Sequence, residues 1–193
     1  MNSSRTSNEG APGRRIVVLS GPSAVGKTTV ARHLVADPAL ERVVTVTTRP
    51  PRPREVDGRD YHFLDRAEFE RRRAAGEFLE WAQVYGHFYA TPRAAVDAIL
   101  QRRMTPLLVL DIQGAEQIRD AGLDAVFIFL VAPDAETLED RLAGRGTEGP
   151  GQRDRRLEEA AAEVARAAWF THRIENRDLE ETVRRVRAAI ALR

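Results

Sequence analysis

Short apolar runs alternate along the chain with longer stretches in which apolar residues recur at helical spacing. The runs at residues 14–20, 43–46, 107–110 and 126–131 are predicted to be buried strands. Helices are predicted over residues 28–35, 94–103, 113–121, 135–143, 153–168 and 179–192. Because strands that alternate with helices form a parallel sheet covered on both faces, the pattern predicts an α/β fold with a central parallel sheet.

Two stretches interrupt this alternation. Residues 45–92 are rich in arginine, proline, glycine and aromatic residues, which predicts an inserted subdomain that binds a substrate. Residues 144–152 are so rich in glycine that they predict a mobile flap, within a lid of about residues 144–155. Residues 14–44 and 93–193 are assigned to the core, and the polar residues 1–13 are predicted to be a disordered tail rather than a secretory signal.

The composition excludes several classes of site and partner. The chain has 193 residues, enough for one full-sized α/β domain. Its net charge of +1 gives no global field that favours nucleic acid, and it has no cysteine for disulfides or thiolate metal sites. The longest apolar run, residues 125–132, is too short to span a bilayer. We therefore expect a cytoplasmic protein with no nucleic-acid or membrane partner.

A phosphate-binding pattern, Gly-x-x-x-x-Gly-Lys-Thr, follows the first predicted strand and precedes the first predicted helix. In that context, backbone N–H groups and the positive end of the helix hold the phosphates of a nucleoside triphosphate. Lys27, the only lysine of the chain, is predicted to reach the β- and γ-phosphates, and the Thr28 hydroxyl to coordinate Mg²⁺. The residues predicted to bind the triphosphate are Gly21, Pro22, Ser23, Ala24, Val25, Gly26, Lys27, Thr28 and Thr29.

A carboxylate, Asp111, comes directly after the apolar run at residues 107–110. Enzymes with this loop need a second oxygen ligand on the Mg²⁺ side at the end of a neighbouring strand. The alternative is a helix cap, because aspartate caps helices readily. Both roles can hold together.

The loop alone leaves GTPases, ATPases and kinases open, so the inserted region has to decide between them. Arg49 and Arg52 stand three residues apart in a proline-rich segment, and guanidinium groups match the geometry of phosphate. The alternative for these arginines is a solvated basic loop. Glu80 has a similar alternative as a surface carboxylate at a strand edge, next to Trp81, which is predicted to be a core residue.

These segments, in this order after this loop, resemble guanylate kinases, which pass a phosphoryl group from ATP to GMP. The resemblance covers about residues 15–188, and residues 47–55, 57–63, 76–82 and 85–92 carry it. It implies a three-layer P-loop kinase fold with an inserted subdomain for the nucleoside monophosphate and a short lid. It also implies ATP as the donor, GMP and dGMP as acceptors, and Mg²⁺ as the cofactor. Either a monomer or a small homo-oligomer is compatible with it.

The resemblance also implies a role for each matching residue. The GMP phosphate is held by Arg49, Arg52, Tyr61 and Tyr89. Glu80 falls where a carboxylate accepts hydrogen bonds from guanine N1–H and the 2-amino group, and Thr45 and Thr91 fall where hydroxyls bond the base. Adenine offers a lone pair at N1 instead, and a site built in this way rejects the wrong base by roughly 10⁴–10⁵. Asp111 is placed in the GMP site as well as on the metal side.

The remaining implied roles concern catalysis and ATP. The catalytic groups are Lys27, Arg145, Arg156 and Asp111, and no histidine is predicted to act as a base. Arg141 and Asn176 fall at the ATP site, where Asn176 has the alternative of an ordinary turn residue.

Several positions depart from the family pattern, and they leave the acceptor less certain than phosphoryl transfer. Ala24 and Arg54 replace glycines, and the change at Ala24 is tolerable if its φ is negative. His87, Ala90 and Val109 also differ from the residues usual there. The alternatives are a paralogue acting on a modified nucleotide or another phosphorylated acceptor such as a sugar, and a non-catalytic module that binds phosphopeptides. An intact phosphate loop argues against the module.

Overall fold

The computed structural model describes residues 15–143 and 150–191, with side chains described over 15–140 and 158–191. In chain order its elements are β1 (Ile16–Ser20), α1 (Lys27–Leu34), β2 (Leu40–Arg42), β3 (Val46–Thr47), β4 (His62–Phe63), α2 (Arg66–Ala74), β5 (Phe78–Val84), β6 (His87–Pro92), α3 (Arg93–Gln101), β7 (Thr105–Val109), α4 (Ile112–Asp120), β8 (Ala125–Val131), α5 (Ala135–Ala143), α6 (Pro150–Arg166), β9 (His172–Glu175) and α7 (Leu179–Ala191). A single 3₁₀ turn, Ala167–Trp169, follows α6.

The larger sheet has five parallel strands in the order β2-β7-β1-β8-β9. All five residues of β1 are buried, because α1 and α7 cover one face of the sheet while α3 and α4 cover the other. A strand buried on both faces reads as a continuous apolar run, which is why the sequence predicted it well. β7 and β8 flank β1 on opposite sides, so the carboxyl end of β1 opens into the crevice where α/β sheets bind ligands.

The smaller sheet, in the order β4-β3-β6-β5, is built from the inserted residues. Its core is aromatic: the ring of Phe69 on α2 lies 4.9 Å from the rings of both Phe78 and Phe88. The side-chain amide of Gln117 on α4 accepts from Trp81 N at 3.2 Å and donates to Trp81 O at 2.6 Å. These bonds attach the edge strand β5 to α4, a helix that packs on the larger sheet. The two sheets therefore face each other across a cleft.

The predicted strand at residues 43–46 is wrong. The edge strand β2 ends at Arg42, and the chain then crosses from one sheet to the other before β3 begins at Val46. Val43 still donates from its N–H to Leu107 O at 3.0 Å, whereas Thr45 O already accepts from His62 N at 2.8 Å. The segment still has the apolar pattern of a strand, because Val43 and Val46 are both buried, each in the core of a different sheet.

The predicted flap is also partly wrong. Helix α6 begins at Pro150, so residues 150–152 belong to the helix and not to a flap. Proline is well suited to the first turn of a helix, because it has no N–H to leave unpaired there and its φ is already near the helical value. The rest of the predicted flap, residues 144–149, and the predicted tail lie outside the described residues. Within the described part, no helix is long and apolar enough to cross a membrane.

Candidate active site

A cavity of about 260 Å³ opens at the carboxyl ends of β1 and β7, between the two sheets. Most of the predicted site residues line it, namely Gly21, Pro22, Ser23, Ala24, Gly26, Lys27, Thr28, Thr29, Thr45, Arg52, Tyr61, Glu80, Tyr89 and Asp111. Four other predicted site residues do not line the cavity but contact residues that do, or contact one another: Val25, Arg49, Thr91 and Asn176. Of the lid residues, Arg145 lies outside the described residues, and Arg141 and Arg156 lie in helices with side chains that are not described.

The phosphate loop joins β1 to α1 and directs the amino end of that helix into the cavity. Gly26 precedes the helix with a φ of 100°, a left-handed conformation that favours glycine. The ammonium of Lys27 donates to the carbonyl oxygen of Gly21 and, at 2.9 Å, to that of Pro22. The only lysine of the chain therefore lies over the loop, at the positive end of a helix where phosphate groups bind.

Asn176 supports the phosphate loop from below. Its side chain is buried and donates from Nδ2 to Val25 O at 2.7 Å. A Cβ atom on Gly26 would come within 2.5 Å of the same nitrogen, so the amide packs directly against the loop. The structure thus gives Asn176 a place under the loop and not in the cavity wall. The alternative of an ordinary turn residue does not account for this buried contact, and the expected contact with adenine remains a prediction.

Glu80 occupies a buried position on β5. Glu80 pairs with Thr91 and shares the cavity side of the strand with Ala82, while Trp81 points to the other side. A bulge between Phe78 and Glu80 places Phe78 in the aromatic core of the smaller sheet instead. Only 5% of Glu80 is exposed, so the alternative of a surface carboxylate is wrong. Trp81 is 37% exposed, so the prediction that it is a core residue is also wrong. Trp81 instead stacks under the guanidinium of Arg73 at 4.7 Å.

The carboxylate of Glu80 is held on two sides. Oε1 accepts a hydrogen bond of 2.6 Å from the hydroxyl of Thr91. Oε2 lies against Gly114 of α4, where a Cβ atom would approach it to 2.5 Å. Burial raises the pKa of Glu80 to about 8; the bond from Thr91 lowers it, and the charge of Asp111 raises it further. A carboxylate in this setting gains most from a ligand that brings N–H donors.

Asp111 caps α4 and also lines the cavity. Its Oδ1 accepts from Gly114 N at 2.8 Å, so the predicted helix cap is confirmed. Burial raises the pKa of this carboxyl, whereas the bond from Gly114 and the charge of Lys27 lower it. Because the side chain also faces the cavity near Lys27, the cap leaves the metal-side role open.

The two arginines of the acceptor loop differ in their surroundings. Arg49 pairs through Nη2 with both oxygens of Glu55, at 2.9 and 3.0 Å, and donates from Nε to the hydroxyl of Tyr89 at 3.2 Å. Its guanidinium also lies 5.6 Å from the centre of the Tyr61 ring. The alternative of a solvated basic loop is therefore wrong for Arg49, whose side chain is only 10% exposed. Arg52, Tyr61 and Tyr89 face the cavity themselves.

The sequence predictions missed Glu163, which reaches the cavity from α6. Its Oε2 is buried and has no hydrogen-bond partner among the described side chains. Burial raises its pKa to about 7, and the charges of Lys27 and Asp111 lie close enough to act on it. A signal was present: Glu163 stands three residues after Ala160 and four before Ala167, both buried, so it interrupts the apolar stripe of the helix.

The oxygen groups of the cavity suit Mg²⁺. The Thr28 hydroxyl and the Asp111 carboxylate both line it, and Mg²⁺ prefers hard oxygen ligands. The described residues contain no group of three or more histidines and carboxylates that could hold a metal alone. Mg²⁺ usually binds through one or two carboxylates together with substrate phosphates and water, so the residues present fit an ion that enters with the nucleotide.

Known proteins match this chain over almost its whole length. The family model for guanylate kinase matches residues 13–192. The chain belongs to the guanylate kinase family. The guanylate kinase of Symbiobacterium thermophilum is 46% identical over 176 residues, covering 91% of this chain and 83% of that protein. That of Thermobifida fusca is 45% identical over 179 residues, covering 92% and 91%.

A solved structure extends the match to the fold. The crystal structure of guanylate kinase from Anaplasma phagocytophilum has a TM-score of 0.76 and 34% sequence identity to this chain, covering 91% of this chain and 84% of that one. The predicted P-loop kinase fold and the predicted family are therefore both confirmed.

Two departures from the family pattern keep the backbone conformation that glycine favours. Ala24 has a φ of 63° and Arg54 a φ of 75°, so Ala24 does not meet the condition of a negative φ. The methyl group of Ala24 packs against Leu138 of α5 and Ala160 of α6, which offsets part of the strain. Arg54 is exposed and has no such compensation.

Replacing Arg54 by glycine is expected to stabilise the protein by about 1 kcal/mol, because a side chain in the left-handed region costs about that much. The free energy of unfolding in urea measures the change. As a control, Arg187→Gly in the middle of α7 removes the same side chain from a helical position and is expected to destabilise by about 1 kcal/mol. A loss of stability in Arg54→Gly would contradict the strain.

Gly114→Ala is expected to raise the KM for GMP by about tenfold or more, because the new methyl group displaces the Glu80 carboxylate and a hydrogen bond to a charged group is worth about 1.5–3 kcal/mol. Steady-state kinetics with ATP held saturating measures it. Gln113→Ala places an alanine at the neighbouring exposed position of α4 and is expected to leave the KM unchanged. Equal values for both variants would show that Gly114 does not set the position of Glu80.

Proposed function

We propose that this protein transfers the γ-phosphoryl group of ATP to GMP, and also to dGMP, giving ADP and the nucleoside diphosphate. The observation that carries the proposal is a single cavity with a phosphate loop on one wall and the buried carboxylate of Glu80 on the other. Donor phosphates and acceptor base are thereby held within reach of each other. Membership of the guanylate kinase family supports the same reaction.

On the donor side, the loop N–H groups and the ammonium of Lys27 hold the β- and γ-phosphates. Mg²⁺, when bound, neutralises charge on these oxygens, and Thr28 and Asp111 are the residues that would hold it. Lys27 has to leave the carbonyl oxygens of Gly21 and Pro22 to do this. It exchanges neutral acceptors for charged ones, which strengthens each hydrogen bond.

On the acceptor side, the GMP phosphate binds to Arg52, Tyr61 and Tyr89, which face the cavity. Arg49 acts from behind by fixing the hydroxyl of Tyr89, and it supplies positive charge to the same subsite. The side chain of Glu55 holds this loop together, since it pairs with Arg49 and accepts from Arg52 N at 2.7 Å. These bonds reduce the entropy lost when the arginines order around phosphate.

Guanine is recognised by Glu80 in its ionised form. The carboxylate accepts from N1–H and the 2-amino group, while the hydroxyl of Thr91 bonds the carboxylate and that of Thr45, which lines the same cavity, bonds the base. Adenine would direct its N1 lone pair at the carboxylate and leave it buried without donors. That penalty is the physical basis for rejecting AMP.

The chemical step depends on positioning and charge neutralisation. A phosphate oxygen of GMP attacks the γ-phosphorus in line with the departing ADP oxygen, and it needs no general base because it is already ionised. Lys27 stabilises the charge that moves onto the bridging oxygen. Arg141, Arg145 and Arg156 are proposed to complete this charge neutralisation from the lid. A cytoplasmic location and a monomer or small homo-oligomer stay predictions.

Two other functions are less well supported. A sugar acceptor has no use for the buried pair of Glu80 and Thr91, which suits a base with N–H donors. A phosphopeptide-binding module has no use for Lys27 and Thr28 in the cavity wall. A modified purine nucleotide that keeps N1–H and the 2-amino group fits as GMP does, and Ala90 and Val109 are the departures that would admit it.

The test of the proposal is an ATP-dependent assay over GMP, dGMP, IMP, AMP, CMP and UMP. We expect turnover with GMP and dGMP, weaker turnover with IMP, which lacks the 2-amino group, and none with AMP. Glu80→Gln is expected to raise the KM for GMP at least tenfold while leaving ATP binding nearly unchanged, because the amide presents a donor to guanine donors. Turnover of AMP in preference to GMP would contradict the role of Glu80.

The affinity for GMP is expected to rise with pH. Free Glu80 has a pKa of about 8 and must lose its proton to accept from guanine, so binding strengthens about tenfold per pH unit below that value and then levels off. Calorimetric titration of GMP into the protein between about pH 6.5 and 8.5 measures it. Glu80→Gln is the control, because ionisation of GMP itself affects both proteins equally. Parallel pH profiles would contradict a protonated Glu80.

The same pKa has an opposite consequence for stability. The folded protein keeps a proton on Glu80 between the ordinary value of 4.5 and about 8, whereas the unfolded chain loses it. Stability therefore falls as pH rises through this window. Glu80→Gln lacks this loss, so its thermal midpoint relative to the parent protein is expected to increase from about pH 5 to about pH 8 while its affinity for GMP is reduced.

A further inference from the structure

Among the described residues, Glu163 is the one charged side chain lining the cavity that the proposed reaction leaves without a role. Its Oε2 atom is buried and has no partner among the side chains that the structure describes. A buried carboxylate oxygen without a donor costs about 1–3 kcal/mol or more, so its retention needs an explanation.

Contacts on either side of Glu163 fix α6 against the rest of the site. Three residues earlier, Ala160 packs with Leu138 of α5 and with Ala24 of the phosphate loop. Three residues later, Arg166 donates from Nη2 to Glu116 of α4, the helix that Asp111 caps. Residues three apart share one face of a helix, so these contacts turn Glu163 toward the space between the loop and Asp111.

The chemistry of that space restricts what Glu163 binds. Nucleotide phosphates carry only acceptor oxygens, and a carboxylate repels them unless a donor or a cation lies between. Lys27 is close, but its ammonium lies over the loop carbonyls and is required by the phosphates. The donors that arrive with the substrate on this side are the water molecules bound to Mg²⁺, which usually keeps several of them.

We propose that Glu163 is a positioning residue of the donor site, and that its carboxylate accepts hydrogen bonds from water ligands of the Mg²⁺ that enters with ATP, across from Asp111. The proposal rests on the proposed function only in requiring ATP as the donor. It assigns to α6 a metal-orienting role in addition to any role of the lid.

The proposal predicts opposite effects of one substitution in two conditions. With Mg²⁺ present, Glu163→Gln loses an acceptor for metal-bound water, and outer-sphere changes of this kind cost about 10- to 100-fold in metal affinity. With EDTA present, the same substitution removes a negative charge that repels the polyphosphate, so the nucleotide binds more tightly. A side chain that only supports the fold would weaken binding in both conditions.

The experiment measures binding of a non-hydrolysable ATP analogue by calorimetry, in Mg²⁺ and in EDTA, without GMP. It is done at pH 8, above the pKa of about 7 that Glu163 has in the free protein. Titration of Mn²⁺ into the complex, followed by electron paramagnetic resonance, gives metal affinity directly. Glu158→Gln is the matched control, because Glu158 is an exposed carboxylate on the same helix.

For Glu163→Gln we expect Mn²⁺ affinity about tenfold lower, weaker binding of the analogue in Mg²⁺ and equal or tighter binding in EDTA, with Glu158→Gln unchanged throughout. An equal loss in both conditions would overturn the proposal in favour of a bond to the ribose hydroxyls or to another side chain. Unchanged Mn²⁺ affinity would overturn it as well. Glu163→Asp keeps the charge and is expected to retain part of the Mn²⁺ affinity and part of the tighter binding in Mg²⁺. It is measured as a second variant in case Glu163→Gln does not fold.

Failure of this proposal is separable from failure of the proposed function. The acceptor is absent from every measurement, so a protein that phosphorylates something other than GMP would still show the Mg²⁺ and EDTA difference. Conversely, normal turnover of GMP with unchanged Mn²⁺ affinity in Glu163→Gln would remove only the role of Glu163.

Discussion

The burial of one carboxylate, Glu80, between the smaller sheet and helix α4 is the constraint on which the site depends. The hydroxyl of Thr91 holds one oxygen at 2.6 Å, and the other lies against Gly114, where there is no room for a side chain. Gly114 also donates to Asp111 at 2.8 Å. The carboxylates proposed to read the base and to face the metal are therefore both in contact with one glycine. The packing of α4 against the smaller sheet thus sets the spacing between these two carboxylates.

The same burial explains how the site combines affinity with selectivity. A carboxyl with its pKa raised to about 8 is mostly protonated at neutral pH, and in the proposed function it ionises when guanine provides donors. Removing the proton from Glu80 therefore lowers the net binding free energy. A base without N–H donors forms no hydrogen bonds to the carboxylate that would offset this loss. The opposite wall combines charges of both signs. Lys27 and the amino end of α1 supply positive charge, while the carboxylates of Asp111 and Glu163 suit a divalent ion.

Backbone strain accompanies this arrangement at two positions where glycine is usual in the family. Ala24 and Arg54 both keep a positive φ, so the local chain path is retained even though the residue that adopts it most easily is gone. At Ala24 the methyl group contacts α5 and α6, which adds apolar contact between the phosphate loop and these two helices. Arg54 has no comparable contact and carries its strain at an exposed turn. Neither change removes a group that the proposed mechanism uses.

The residues by themselves determined the features that depend on local pattern. Continuous apolar runs predicted the buried parallel strands. The phosphate loop was also predictable, because its strand, glycines, lysine and helix follow one another directly in the sequence. Only the tertiary structure decided features set by residues distant in sequence. The burial of Glu80 against Gly114, the place of Asn176 under the loop, the bond from Arg49 to Tyr89, and the approach of Glu163 to Lys27 all join segments far apart along the chain. A carboxylate in a strand or helix is compatible with a solvated surface until the packing partner is known, because burial is a property of the assembled elements and not of the local sequence.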